Sequence, residues 1–323
     1  MATYKGIQGF SIQNLSADPS NPIEGQVWYN STSNVWKVEE LTALGAWASG
    51  TALPGPRGGS VGAGTPTAAL VSAGAGPTPT LTSTFEYDGT SWTGSGSITT
   101  GHTERGSTGT QTSAIAMGNS SSITNTEEYD GSTWTAGGSL NTGRAAIAGA
   151  GPATAAIGMG GTPDASPGET ELYDGTSWTA TTAQNNPQAY GSGSGTQTAG
   201  LSFGGYISNN YTEEFDGATW TSGGSLITVG YGMKGTGTQT AALSMGGNTP
   251  YPLSVATQLY DGTSWSTETS MSNARSYGGV ANASPASDAL IYGGYQSGPG
   301  GFISATEAFT GAGVALTKTI TVS

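Results

Sequence analysis

Four arginines recur at comparable places in this chain, each opening a Gly/Ala/Ser-rich segment. Guanidinium groups bind anions through paired hydrogen bonds, so a ring of them could line one mouth of a channel and hold an anionic ligand. Alternatively, each arginine pairs with a Glu or Asp of its own or a neighbouring repeat and serves stability alone. The pattern leaves both interpretations open. The set is Arg57, Arg105, Arg144 and Arg275, and in the two remaining repeats Tyr190 and Tyr231 open the corresponding segment as part of the repeat framework.

Five aspartates also recur, each followed by Gly and each at a predicted tight turn. Regularly spaced acids could suggest calcium sites, but no D-x-D-x-D-G loop is present. One acid per Asp-Gly turn is better explained by a side chain that accepts hydrogen bonds from the turn's backbone amides. We therefore predict no metal at these positions. They are Asp88, Asp130, Asp174, Asp216 and Asp261.

Catalytic chemistry has weak support. His102 is the single histidine and lies near Glu104, but no nucleophile accompanies it in the repeat pattern. The glutamates could in principle supply a glycosidase pair, yet none differs from its repeat equivalents. With no Cys, thiol catalysis and Cys-based zinc sites are excluded. We predict no enzyme activity and no cofactor.

Aromatic residues without a framework role occur in the variable loops between the second and third strands of the predicted repeats. Exposed Tyr beside Asn, Ser and Gly is typical of adaptable recognition surfaces and of sugar stacking. Ordinary loop variation is the alternative. The candidate ligand-binding aromatics are Tyr206, Tyr211, Tyr251, Tyr295 and Phe302.

Tryptophans at a regular spacing of 42 to 45 residues indicate the elements that must position these groups. Each period contains four short strand-like segments, with nothing of helical length between them. Four antiparallel strands repeated at this spacing predict an all-β propeller, in which Trp and Tyr pack between neighbouring blades. The repeat tryptophans are Trp47, Trp92, Trp134, Trp178, Trp220 and Trp265.

The number of blades depends on the chain ends. Residues 1–46 contain a predicted hairpin, and residues 47–323 hold the propeller. If the Trp47 strand and the terminal strand at residues 315–322 both join the last blade, there are six blades, which we favour. If the amino-terminal segment forms its own blade, there are seven.

Composition excludes several partners. The chain has 323 residues, 55 Gly, no Cys, 8 Lys plus Arg and a net charge of -13, so a nucleic-acid-binding surface is not expected. No apolar run approaches about 18 residues, which argues against membrane insertion. The first ten residues, MATYKGIQGF, lack the features of a signal peptide.

The repeats resemble those of kelch-type propellers, with diglycine after the second strand, Tyr-Asp before a Trp, and an Arg opening the next copy. The string DGTSW is also similar to the sialidase Asp-box, but its spacing is one residue too short and no Arg triad is evident.

The first 46 residues, with GQVWYNST at residues 25–32, and the later GTQTAAL segment resemble kelch-like structural proteins of tailed, especially marine, bacteriophages. That resemblance implies a virion protein made in the host cytoplasm, with other virion proteins as partners.

Three functions follow as expectations. The first is a tail-fibre-associated protein or surface adhesin whose loops bind host glycans weakly and multivalently. The second is a purely structural capsid or tail decoration or cement protein. The third is a polysaccharide-degrading tailspike. Self-association through the amino-terminal module is a further expectation.

Overall fold

The computed structural model is all-β. It describes residues 13–19, 26–41, 45–78, 80–121, 123–162, 168–206, 210–248, 252–296, 301–311 and 315–320. Within these residues there are seven four-stranded sheets, and one turn of 3-10 helix at Ala153–Ala155. No helix in this part of the chain is long and apolar enough to cross a membrane.

The chain divides into two compact units, of which the first comprises Met1–Gly45 and Gly311–Ser323. We call its sheet the amino-terminal sheet. β1 pairs with β2 in parallel, and the other pairings are antiparallel. The strands in spatial order are β1 (Gln13–Leu15), β2 (Val27–Asn30), β3 (Val35–Leu41) and β28 (Ala315–Ile320).

The terminal strand differs from the expectation for a six-blade arrangement. It does not join the last repeat but pairs with β3, with Ala315 opposite Leu41 and Ile320 opposite Trp36. The two ends of the chain therefore build one sheet together.

The second unit, Ala46–Thr310, contains six sheets that follow the sequence repeat, here called repeat sheets 1 to 6. Each is an antiparallel meander. The strand from Ala46 to Gly50 is β4, which pairs with the third strand of repeat sheet 6 and completes it, with Trp47 opposite Phe309.

The strands of the repeat sheets are as follows. Repeat sheet 1 contains β5 (Val61–Thr65), β6 (Ala68–Ser72), β7 (Thr84–Tyr87) and β8 (Trp92–Ser95). Repeat sheet 2 contains β9 (Gly106–Thr110), β10 (Ser113–Met117), β11 (Thr126–Tyr129) and β12 (Trp134–Ala136). Repeat sheet 3 contains β13 (Ala148–Ala150), β14 (Ile157–Met159), β15 (Thr170–Tyr173) and β16 (Trp178–Thr181).

The remaining three follow the same order. Repeat sheet 4 contains β17 (Ser192–Thr196), β18 (Ala199–Phe203), β19 (Thr212–Phe215) and β20 (Trp220–Ser222). Repeat sheet 5 contains β21 (Lys234–Thr238), β22 (Ala241–Met245), β23 (Thr257–Tyr260) and β24 (Trp265–Glu268). Repeat sheet 6 contains β25 (Gly279–Val280), β26 (Asp288–Tyr292), β27 (Thr306–Thr310) and β4.

The repeat tryptophans join each sheet to the one before it. Trp134 lies in one apolar cluster with Val61 and Leu70 of repeat sheet 1, and its Nε1 donates to Thr84 Oγ1 at 3.0 Å. Trp265 donates in the same way to Thr212 Oγ1. Such clusters of large aromatics and Ala supply the burial that a chain poor in aliphatic residues needs.

The GTQT turn segments strengthen the same contacts. Gln239 in repeat sheet 5 donates its side-chain amide to the carbonyls of Gly200 and Phe215 in repeat sheet 4. Gln111 and Gln197 make the equivalent pair of bonds to their preceding sheets. The Gln of this repeated motif is thus a bridge between sheets.

The first strands are Gly-rich because neighbouring first strands approach closely. A Cβ added at Gly62 would lie 2.6 Å from the backbone of Val280, a distance that no side chain tolerates.

Candidate binding face

One backbone position per repeat sheet, just before the first strand, has left-handed φ angles between 53° and 65°. Backbone bonds connect these positions from sheet to sheet. Gly232 donates to the Tyr190 carbonyl, Tyr277 to that of Gly232, and Gly59 to that of Tyr277, each at 2.7 Å. We call the set the mouth ring: Gly59, Glu104, Ala146, Tyr190, Gly232 and Tyr277.

Four members of the mouth ring are not glycine, although a left-handed conformation is strained for residues with a Cβ. Tyr190 and Tyr277 are the bulkiest of them. Strain of this kind is retained where the surrounding structure fixes it and is enriched at functional sites. The side chains of the mouth ring are therefore candidates for a binding site.

Tyrosines gather at one side of the mouth ring. The Tyr190, Tyr231 and Tyr277 rings contact one another edge to face, with centroids 5.9 to 6.4 Å apart. Tyr206, from the loop after β18, packs on Tyr231 with centroids 5.2 Å apart and remains 66% exposed. We call these four residues the tyrosine cluster.

A carboxylate borders the tyrosine cluster. The Tyr190 hydroxyl donates to Glu104 Oε2 at 3.1 Å, and partial burial together with the Glu104 charge raises the pKa of Tyr190 to about 12. Burial also raises the pKa of Tyr277. These hydroxyls stay protonated at physiological pH and can act as hydrogen-bond donors.

The space beneath the mouth ring contains a lysine. Lys234, the first residue of β21, lines two small cavities of about 30 Å³ each. It has no ion pair within the described part of the chain, and partial burial lowers its pKa to about 8. One of the two, here called the upper cavity, is also lined by Glu104, Tyr190 and Tyr277 of the mouth ring. The other is called the lower cavity.

The arginines proposed as anion ligands are buried. Arg105 pairs with Glu127 at 2.8 Å, Arg144 with Glu171 at 3.0 Å and Arg275 with Glu307 at 2.5 Å, each within its own repeat sheet. Their side chains have no exposed surface. For any of the three to bind an external anion, a buried ion pair would first have to open.

Arg57 differs because Phe85 occupies the position where four of the other five repeats carry Glu. Its guanidinium lies 4.9 Å from the Phe85 ring centroid and donates to the Ser83 carbonyl and hydroxyl at 3.0 Å. Burial lowers the pKa of Arg57 to about 10. A cation–π contact replaces the ion pair in this repeat.

Two repeat assignments made from the sequence are wrong in detail. Arg144 precedes its left-handed Gly151 by seven residues, whereas Arg105 precedes the equivalent Gly109 by four. Arg105 therefore reaches the same acid from a different backbone position. Tyr190 and Tyr231, which the sequence grouped with the arginines, do not stand at the Arg144 position either.

The five turn aspartates accept hydrogen bonds from their own turns. Asp130 Oδ1 accepts from the amides of Ser132 and Thr133 at 2.8 and 2.7 Å, which lowers the pKa of Asp130 to about 2. Asp88, Asp174, Asp216 and Asp261 repeat these contacts. Each aspartate thus fixes the hairpin that begins its tryptophan strand.

The other loop aromatics are dispersed. Tyr295 is 43% exposed and packs on Phe302, with centroids 6.0 Å apart. Tyr211 is 40% exposed. Tyr251 lies outside the described residues. Among the described members of the predicted set, only Tyr206 therefore joins the tyrosine cluster.

Sequence reasoning missed Tyr277 and gave Tyr190 and Tyr231 a framework role. The available signal was spacing. In most repeats a Gly with positive φ follows the mouth-ring position by five residues. At the mouth-ring position itself, repeat sheets 1 and 5 have Gly, whereas repeat sheets 4 and 6 have Tyr190 and Tyr277. A large residue at a position that suits Gly marks a break in the repeat.

Compared with models of known protein families and with curated proteins, the sequence matches none.

Proposed function

We propose that the six repeat sheets close into a kelch-type propeller of six blades. Two contacts between repeat sheets 6 and 1 support closure: the Tyr292 hydroxyl donates to the Leu70 carbonyl at 2.6 Å, and Gly59 donates to Tyr277. An apolar cluster also draws on both sheets. The amino-terminal strand β4 supplies the outer strand of the last blade.

On this propeller we propose a non-enzymatic recognition function, with the face carrying the mouth ring and loops binding glycans of a host surface. The tyrosine cluster is the observation that carries the proposal. It combines an exposed Tyr206 ring for stacking with hydroxyls and Glu104 for hydrogen bonds to sugar hydroxyls, and it breaks the symmetry of the repeat.

The setting we propose is a tailed-phage particle, supported by the sequence resemblance of the amino-terminal segment and the repeats. The amino-terminal unit would attach the propeller to other virion proteins or to further copies of the chain. Many copies on one particle would convert weak single contacts into firm adsorption.

The test measures binding of the full chain to an array of surface glycans and to host cells. Tyr206→Ser combined with Tyr231→Ser should lower binding at least tenfold, because both rings belong to one stacking surface. Ile227→Ser, which removes an exposed apolar side chain outside the cluster, is the matched control. Equal binding by all three proteins would remove the recognition function.

Cryo-electron microscopy of the particle distinguishes recognition from the alternative, a structural decoration or cement protein. A fibre-tip position fits recognition, whereas a shell position with no glycan binding favours cement. Release of oligosaccharide fragments from host polysaccharide would instead establish the tailspike alternative.

A further inference from the structure

Lys234 occupies a position where the other repeats carry small or apolar residues. Each of these residues begins a first strand, next to the axis around which the repeat sheets contact one another. A cation at this place is therefore a specific departure from the repeat. The equivalent residues are Val61, Gly106, Ala148, Ser192 and Gly279.

The lower of the two cavities beside Lys234 contains no carboxylate among its lining residues. Arg105 lines it too. Its two terminal nitrogens donate to Glu127, Asn125 and backbone carbonyls, whereas its buried Nε has no partner in the described structure. The cavity volume of about 30 Å³ holds one or two water-sized bodies. An ammonium group with no acid within ion-pair distance therefore faces a space of the size of a small ion.

Other hydrogen-bond donors face the same region. The Ser192 hydroxyl lines the lower cavity and makes no side-chain hydrogen bond in the described structure. The Tyr277 hydroxyl, likewise unbonded there, lines the upper cavity together with Lys234. The Ser107 hydroxyl is already used, since it donates to the Gly62 carbonyl at 3.0 Å.

One carboxylate, Glu104, faces Lys234 across the upper cavity, with Tyr190 and Tyr277 beside it. Glu104 accepts from Tyr190 and lies beyond ion-pair distance of Lys234. Lys234 is partly exposed, and partial burial of an ammonium without a protein counterion favours either loss of its proton or a bound anion. The lowered pKa of about 8 leaves the ammonium form dominant at neutral pH.

We infer that the lower cavity binds one small monovalent inorganic anion of the halide class, held by the Lys234 ammonium with help from the Ser192 hydroxyl. This inference does not depend on glycan recognition by the tyrosine cluster. The anion neutralises the single unpaired lysine of the axial region and ties repeat sheets 4 and 5 together at their first strands.

The direct test is a crystal of the full chain grown with sodium bromide, followed by an anomalous difference map. The expected result is a bromide peak at hydrogen-bonding distance from Lys234 Nζ, and no peak there in Lys234→Met crystals. An empty cavity, a water bridging Lys234 to Glu104, or a peak that persists in the variant would overturn the inference.

Thermal unfolding supplies an independent measurement. At neutral pH and equal ionic strength, chloride should raise the melting temperature by several degrees relative to gluconate, a larger and poorly fitting anion. The rise should vanish in Lys234→Met and in Lys234→Gln, and should shrink above about pH 8 as the amine loses its proton. Identical melting in both salts would contradict the inference.

Discussion

In repeat sheets 3 and 5, a side chain of the third strand accepts hydrogen bonds from the same loop, and it is charged in repeat sheet 3 but neutral in repeat sheet 5. In repeat sheet 3, Glu171 accepts from the backbone amides of Asn141 and Thr142 and pairs with Arg144. Repeat sheet 5 has Gln258 at the Glu position and Gly230 at the Arg position. Gln258 Oε1 still accepts from two consecutive loop amides, at 2.8 and 2.9 Å.

The shared element is therefore the acceptor that holds the loop leading into the first strand of its own sheet. In repeat sheets 2, 3 and 6 an arginine compensates the charge of the buried carboxylate, whereas in repeat sheet 4 the buried Glu213 accepts from Asn186 and has no ion pair within the described structure. A neutral amide needs none, and there the arginine is absent. Repeat sheet 5 therefore lacks both charged members of the pair.

The largest effect is expected for Arg144→Ala. This change leaves Glu171 buried without its cation and removes bonds to the Gly160 and Glu169 carbonyls. Breaking one side of a buried pair typically costs about 3–5 kcal/mol in the free energy of unfolding. Denaturant unfolding followed by Trp fluorescence measures it.

The control for that change is Glu171→Gln combined with Arg144→Met, which imitates the neutral arrangement of repeat sheet 5. Its loss should be smaller than that of Arg144→Ala alone. An equal or larger loss in the double variant would show that the ion pair itself stabilises the repeat.

Gln258→Glu should be the next most damaging. It places a carboxylate at a buried position with no arginine to pair with, and it replaces the bond from Gln258 to the Thr228 carbonyl by repulsion between two oxygens. We expect a loss of about 2–3 kcal/mol at about pH 8. Because burial would raise the pKa of the new carboxyl, the loss should diminish on acidification to about pH 5. A pH-independent loss would contradict this explanation.

Glu127 should contribute to the loss of unfolding free energy at acidic pH. Arg105 and Thr99 hold the pKa of this buried carboxyl below its ordinary value although burial alone would raise it. The carboxylate therefore stabilises the fold above its unfolded pKa, and this stabilisation is lost as pH falls through the lower folded value.

Relative to the wild type, Glu127→Gln should make the fall in unfolding free energy between about pH 6 and about pH 3 smaller. Urea titrations at a series of pH values give this slope. Parallel pH profiles for the two proteins would mean that Glu127 has the same proton affinity folded and unfolded.

The sequence predicted the parts of this molecule that recur at fixed spacing. Trp134 stands four residues after Asp130, a spacing that the other four Asp–Trp pairs keep, so strand, turn and packing face follow from their types alone. Arg105 was misplaced because its long side chain reaches the common acid from a backbone position three residues later. Contacts, not spacing, reveal that equivalence.

Pairings between distant parts of the chain could not be read from periodicity. The strand at Ala315–Ile320 pairs with β3 and not with the last repeat sheet, whose edge β4 occupies. The tyrosine cluster likewise draws on residues from three neighbouring repeats. Their meeting depends on the angle between sheets, which a single repeat does not encode.

The smallest effect is expected in repeat sheet 1, where the arginine has lost its acid. Phe85→Glu restores a carboxylate at the Glu127 position, within reach of Arg57. The gain from a buried ion pair and the loss of apolar and cation–π contact are of similar size, so the unfolding free energy should change by less than about 1 kcal/mol.

A double-mutant cycle with Arg57→Met distinguishes two opposing contributions that cancel from the absence of any interaction between Arg57 and the residue at position 85. If Arg57 couples to the residue at position 85, Arg57→Met should cost more in the Phe85→Glu background, where it strands a buried carboxylate, than in the wild type. Equal costs would mean that the new carboxylate does not meet Arg57. The arginine of repeat sheet 1 would then be retained for its bonds to Ser83 rather than for pairing with the third strand.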